Sequence, residues 1–261
     1  MNFNFKNKTV FITGGTHGIG LACVKKFSEL NAKIITFSRD KKKVNKLKKF
    51  LKKKNINFIT ETGDVLDINF LDNFSKHCLK RFKKIDIFIN NAGGGGRWGN
   101  RDVLKTNDNV WDEVYKKNNL SLQFLVKKFL PGMIKSRSGR IISIGSSSST
   151  NFTEEDRPWF SAAKSAQLAT MKSLSKKKIF TSNNITFNTI SPGPIFIKNT
   201  GWEKQMINNK KKYNDFIKQN IPVNRLGHPE EVANIVLFIS SKYSSFINGS
   251  NLVIDGGLSN S

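Results

Sequence analysis

A short β-rich run, Thr9 to Ile12, leads directly into Thr13-Gly14-Gly15-Thr16-His17-Gly18-Ile19-Gly20, and a helical pattern then runs to about Leu30. A strand that empties through glycines into a helix leaves few folds open. Glycines let the backbone come close to a phosphate, and a helix N-terminus offers free N–H groups and a favourable dipole. The glycine spacing is G-x-x-x-G-x-G rather than the commoner G-x-G-x-x-G. On its own such a turn fits a tight connection as well as a nucleotide cradle.

The pattern then repeats. Lys33 to Phe37 reads as a second strand, Ile56 to Thr60 as a third and Ile85 to Ile89 as a fourth. A basic helix over Lys41–Lys54 and a helix from about Asp67 to Arg81 separate them. After Asn90-Asn91-Ala92-Gly93 and a glycine-rich loop, a long helix runs from Trp111 to about Ile134 with an expected break at Pro131-Gly132. Arg140 to Ile144, Ile185 to Ile190 and Asn251 to Ile254 are the remaining strands. A helix from Trp159 to Phe180 lies between the first two, and Pro229-Glu230-Glu231 opens a last helix. Ser191-Pro192-Gly193-Pro194 reads as a breaker. Strands alternating with helices predict an α/β chain, a three-layer doubly wound parallel sheet, in one domain over residues 1–261. Residues 201–219, helical from Trp202 to Gln219, are read as a lid over a substrate.

The net charge of +25 invites a nucleic-acid reading. The cations are mostly lysines scattered over predicted helix faces, and residues with AT-rich codons crowd the whole chain. The densest run keeps Val44, Leu47 and Leu51 at helical spacing, so it reads as a solvated amphipathic helix. No specific nucleic-acid partner is expected. Cys23 and Cys78 read as small core residues, and no cysteine–histidine–carboxylate grouping has metal-ligand spacing, so no metal is expected. No run has membrane-spanning length, and Met1 to Lys6 lacks a signal-peptide core, which predicts a cytoplasmic protein. His77 and His228 read as surface and cap residues.

At the end of the second strand stand Ser38 and Arg39, where a cofactor with a free ribose 2′-hydroxyl would meet an acid. A guanidinium there suits a 2′-phosphate, His17 could add to it, and Asp40 stands close by. NADP is therefore expected over NAD. Phe160 and Lys164 share a helix face, and Ser146 precedes them at the end of a strand. Arg97, Trp98, Arg157 and Trp202 fall in segments that would rim a substrate pocket.

Over nearly its whole length the chain resembles the short-chain dehydrogenase/reductase family. The matching pieces come in order: Thr13-Gly14-x-x-x-Gly18-Ile19-Gly20, Asp64-Val65, Asn90-Asn91-Ala92-Gly93, Trp111 with Asn118, Ser146, Lys164, Pro192-Gly193 and Asp255-Gly256-Gly257. The resemblance implies a Rossmann-like fold, hydride transfer between NADP(H) and a carbonyl or alcohol, and a homotetramer built on the two long helices. It implies that Gly14, Thr16, Gly18, Ile19 and Gly20 cradle the pyrophosphate. Asp64 and Val65 would meet the adenine, and Asn91, Ala92 and Gly93 would wall its ribose. Pro192, Gly193 and Ile195 would hold the carboxamide, and Ile197 stands where the family often has threonine. Asn118 would hold a relay water, Ser146 the substrate carbonyl, and Lys164 the nicotinamide ribose.

One departure is large. The family places a tyrosine, the general acid, at the position of Phe160. General acid help is typically worth about 10²–10⁴ in rate. Three explanations compete. Catalysis is lost and binding kept, as in a non-catalytic NADP-binding or scaffold protein. Another donor serves, such as Ser146, Lys164 or a water near Asn118. Or the redox step needs no acid there.

Overall fold

A computed structural model describes residues 2–100, 102–153 and 156–259. Met1, at the head of the segment read for a signal peptide, lies outside them. Seven parallel strands are β1 (Thr9–Thr13), β2 (Lys33–Ser38), β3 (Phe58–Thr62), β4 (Ile87–Asn90), β5 (Gly139–Ile144), β6 (Ile185–Pro192) and β7 (Asn251–Ile254). They form one sheet in the order β3-β2-β1-β4-β5-β6-β7. This is the doubly wound order, with a crevice at the carboxyl ends where β1 and β4 diverge.

Helices cover both faces. They are α1 (Gly18–Glu29), α2 (Lys41–Lys53), α3 (Ile68–Phe82), α4 (Asn109–Lys135), α5 (Pro158–Ser175), α6 (Lys178–Thr181), α7 (Gly201–Asn208), α8 (Lys210–Asn220) and α9 (Pro229–Ser240). A sheet buried on both faces needs continuous apolar strands, and every residue of β1 is buried. Alternate side chains enter two cores. Val10 and Ile12 pack toward α1 and α9, while Phe11 packs toward α3 and α4. The second core is phenylalanine-rich: Phe11 lies 4.9 Å from Phe129 and 5.9 Å from Phe88, centroid to centroid. In α2, Val44, Leu47 and Leu51 are buried and the lysines of the outer face point to solvent. Cys23 and Cys78 are free and buried, and burial pushes both thiols up to about 12.

Four sequence expectations shift. β3 begins at Phe58 rather than Ile56, because Ile56 N–H closes α2 on the Leu51 carbonyl at 3.1 Å. α4 runs unbroken through Pro131. The carbonyl that Pro131 deprives of a donor belongs to exposed Lys127, where water can reach it. The helix from Trp159 ends at Ser175, and Phe180 belongs to the separate turn α6. The expected breaker does not end β6. Beyond Ile190 the partner β5 has stopped, yet Ser191 and Pro192 still pair with Val253 and Ile254 of β7. A proline fits where only one neighbour remains.

Among the described residues, no helix is long and apolar enough to cross a membrane, and no group of three or more metal-ligating side chains is gathered.

Candidate active site

The glycine turn at the end of β1 takes shapes that few other residues allow. Gly14 has φ +69° and Gly18 +52°. A Cβ on Gly20 would lie 2.4 Å from the Gly14 carbonyl oxygen and 2.5 Å from Asn91 Nδ2. The turn is tied to its neighbours. Gly15 N–H donates to Thr36 Oγ1 at 2.9 Å, and Asn91 Nδ2 donates to the Thr13 carbonyl at 2.8 Å. No side chain caps α1, which begins beside His17, so its first N–H groups stay available.

In front of this turn lies a cleft of about 600 Å³. Gly14, Thr16 and His17 line one wall, Ser38 and Arg39 the end of β2, Asp64 and Val65 the end of β3, and Asn91, Ala92 and Gly93 the end of β4. Gly18, Ile19 and Gly20 stand behind that wall in the first turn of α1, with Ile197 packed on Gly18. Pro192, Gly193 and Ile195 lie past it at the end of β6. There Gly193 N–H bonds the Ile254 carbonyl and Ile195 bridges to Gly227. Thr200, a few residues on, reaches the cleft again.

Sequence reasoning missed Lys43 and Lys117, which also line the cleft. The cations there act on one another. His17 is held below its usual value by burial and by Lys43, and Lys117 by burial and by Arg39. Asp64 lies 3.8 Å from Arg39. Asp40 is committed elsewhere, because its carboxylate caps α2 at Lys43 N–H, 3.0 Å away, and that bond holds it below the usual carboxylate value.

Deeper in, Asn118 and Asn119 face different ways. Asn118 Nδ2 donates to the Val114 and Gly94 carbonyls at 2.7 and 2.8 Å, and its Oδ1 accepts from Gly94 N–H at 3.1 Å. Asn119 instead reaches the Ala163 carbonyl on α5 at 3.0 Å. Lys164 is buried, and its Nζ donates to the Ile144 carbonyl at 2.9 Å and to Gln167 Oε1 at 3.2 Å. Burial brings its pKa down to about 7. The Phe160 ring is half-buried, its centroid 5.9 Å from Lys164 Nζ, and Gly96 lies against it.

Ser146 sits two residues past Ile144 and starts a short turn, its Oγ accepting from Ser148 N–H at 3.3 Å. The serines after it are tied into the turn. Ser149 Oγ donates to the Ser146 carbonyl, and Ser148 Oγ to Asp156. Gln167 escaped the sequence reading too. Its one signal is a polar residue placed among the buried positions of α5.

A smaller recess of about 420 Å³ shares Thr200 with the cleft and is lined by Arg97, Gly201 and Lys204. Arg97 lies over Trp202 at 5.0 Å, Lys117 over Trp98 at 4.1 Å, and Arg157 Nε donates to the Trp98 carbonyl at 3.0 Å.

Residues 14–259 match the family described as Enoyl-(Acyl carrier protein) reductase. A 3-oxoacyl-[acyl-carrier-protein] reductase FabG of Buchnera aphidicola subsp. Acyrthosiphon pisum is 35% identical over 260 residues, covering 98% of each chain. The solved L-sorbose reductase of Gluconobacter frateurii, complexed with NADPH and L-sorbose, superposes with TM-score 0.88 at 25% identity over 100% of both chains. A 3-oxoacyl-[acyl-carrier protein] reductase with bound NAD from Brucella melitensis superposes with TM-score 0.83 at 25% identity, over 97% of this chain and 91% of that one. With its strand order, its glycine turn and these relatives, the chain belongs to the short-chain dehydrogenase/reductase family of oxidoreductases.

Proposed function

We propose that this protein binds NADP(H) and interconverts a carbonyl compound and its alcohol. The observation that carries the reading is the cationic end of the cleft. Arg39, Lys43, Lys117 and His17 gather there; of the two acids beside them, Asp40 is taken up by a helix cap and Asp64 lies 3.8 Å from Arg39. A 2′-phosphate suits such a place better than a bare ribose hydroxyl. Of the two solved relatives, one holds NADPH and the other NAD, so the preference rests on these side chains.

The rest of the site fits the cofactor. The unbranched surface of the glycine turn and the free N–H groups of α1 suit a pyrophosphate. Asp64 and Val65 suit the adenine, Asn91 to Gly93 the ribose, and the Pro192–Ile195 segment the carboxamide. When bound, NADPH supplies a hydride to the carbonyl carbon. Ser146 would hold the carbonyl oxygen, and Asn118 fixes the loop at Gly94 that walls the site. The recess beside Trp202 would take the remainder of the substrate, with α7 and α8 as its lid. Two relatives are named as 3-oxoacyl-[acyl-carrier-protein] reductases and a third as an L-sorbose reductase, which supports a carbonyl substrate. Buried free thiols suit the reducing cytoplasm.

Titration of NADPH and NADH, followed by nicotinamide absorbance on a panel of carbonyl compounds, tests the reading. Tighter NADPH binding and turnover are expected, and Arg39→Ala should weaken NADPH about tenfold while sparing NADH. Tighter NADH binding overturns the cofactor choice. Tight NADPH binding with no turnover on any carbonyl favours a non-catalytic NADP-binding protein.

A further inference from the structure

Lys164 and Gln167 stand three residues apart on α5, so their side chains leave one face of the helix. Lys164 Nζ donates to Gln167 Oε1 at 3.2 Å, and Gln167 Nε2 donates to the Asn118 main-chain carbonyl at 3.0 Å. Chemistry fixes the amide at both ends. An ammonium only donates and a carbonyl only accepts, so the amide oxygen faces Lys164 and its nitrogen faces Asn118. Gln167 and Asn118 are fully buried and Lys164 nearly so. The lysine is therefore held between α4 and β5 by a rigid polar line.

An ammonium has three N–H groups, and Gln167 and the Ile144 carbonyl take two of them. The third has no acceptor among the described residues, and Gly93, which lines the cleft, stands close by: a Cβ there would come 3.4 Å from Nζ. An amide, unlike a water or hydroxyl, does not readily pass a proton from one end to the other. The line thus orients the lysine without supplying it with protons from α4.

We propose that Lys164 donates the proton in this reaction and that Gln167 is the positioning residue that aims it. The inference rests on the reductase reading above. In the reducing direction the carbonyl carbon gains a hydride, with its electron pair, from the reduced nicotinamide. The π pair of the C=O bond moves to oxygen, and oxygen takes a proton from Lys164 Nζ. The lysine is left as a neutral amine and recovers a proton from solvent through the cleft once the alcohol leaves. Around Nζ stand Ile144, Gln167, Asn118, Phe160 and Gly93, none of which titrates. Burial alone sets the pKa near 7, a value suited to a general acid at neutral pH.

The test uses full-length protein, lysine-labelled for NMR, as wild type, Gln167→Met and Gln167→Glu. Lys164 is titrated without cofactor, and the pH profile of kcat/KM is measured with NADPH on the carbonyl panel. Gln167→Met removes an acceptor of the charged form, so Lys164 should titrate about one unit lower and the alkaline limb of the profile should follow. Gln167→Glu should move both upward, and NADPH affinity should stay unchanged in Gln167→Met. A limb that stays in place while the lysine titration moves overturns the proposal, as does a lysine titration that does not move. Lys164→Met should lose turnover and keep NADPH. Loss of NADPH affinity with the alkaline limb retained would give the lysine to the ribose instead and overturn the inference. Reduction with an unmoved limb overturns this inference alone, whereas a wild type that binds NADPH and reduces nothing overturns the reductase reading with it.

Discussion

At the scale of single residues, the proposed chemistry turns on Phe160 and Lys164. The ring lies against Gly96 and beside the ammonium, so a tyrosine there would bring a hydroxyl into the same wall. If Lys164 already donates the proton, Phe160→Tyr should change turnover by less than about tenfold, measured on the substrate that wild type reduces. A site that lacks only a hydroxyl would instead gain about 10²–10⁴. Lys164 also leaves a mark on stability. Its folded pKa of about 7 lies below the ordinary lysine value of 10.5, so between those values the unfolded chain holds a proton that the folded chain lacks. Stability therefore rises with pH across that window and is flat with respect to this group below it. Denaturation of wild type and Lys164→Met across the window should show this slope only in wild type. Equal slopes would place the lysine in a far more hydrated setting.

At the scale of elements, much of the fold was legible because the sheet is buried on both faces and its strands are short apolar runs. The apolar stripe of α2 was legible for the same reason, since Val44, Leu47 and Leu51 sit on one face. Boundaries were less so, because tertiary partners set them. Pro192 reads as an end, yet β7 keeps the strand going, and Ile56 reads as strand, yet α2 uses its N–H. Gly14 and Asn91 to Gly93 do line the cleft, Gly14 read from its turn and the other three from the family resemblance, whereas Gly18 and Gly20 stand behind its wall. Lys43, Lys117 and Gln167 were not legible, because a lysine or glutamine on a helix announces nothing until the facing element is known. The glycine turn gives the sharpest test at this scale. Gly20→Ala drives a Cβ into the Gly14 carbonyl and the clamped Asn91 amide, which should cost about 1–3 kcal/mol and most of the NADPH affinity. Gly132→Ala is the matched control in α4. Its nearest foreign atom is 3.7 Å away, so it should stabilise by up to about 1 kcal/mol in thermal melts. Equal behaviour of the two would mean that the turn relaxes easily and does not shape the cleft.

At the scale of the whole molecule, the charge and the exposed apolar surface pull in opposite directions. Each copy carries +25, so copies repel one another over about a Debye length, roughly 10 Å at 0.1 M salt. Against this, α4 exposes Trp111 and Tyr115, four residues apart on one face and 42% and 43% accessible. The Trp111 ring packs edge-on against buried Trp159 of α5, which holds the exposed ring in place. Asn119 ties the two helices together through the Ala163 carbonyl. A rigid apolar face on a strongly charged body is suited to meeting its own copy once salt screens the charge. We expect a homotetramer that is more fully assembled at ~0.5 M salt than at ~0.02 M, because screening weakens the repulsion and leaves the apolar contact intact. Nucleic-acid binding through the same charge would respond with the opposite sign, weakening steeply over that range as releasing counterions into more concentrated salt gains less. Light scattering at micromolar protein, run beside a DNA gel shift across one salt series, separates the two. A monomer at every salt refutes the assembly, and a DNA complex that survives physiological salt would make the lysines a binding surface rather than a solvated coat.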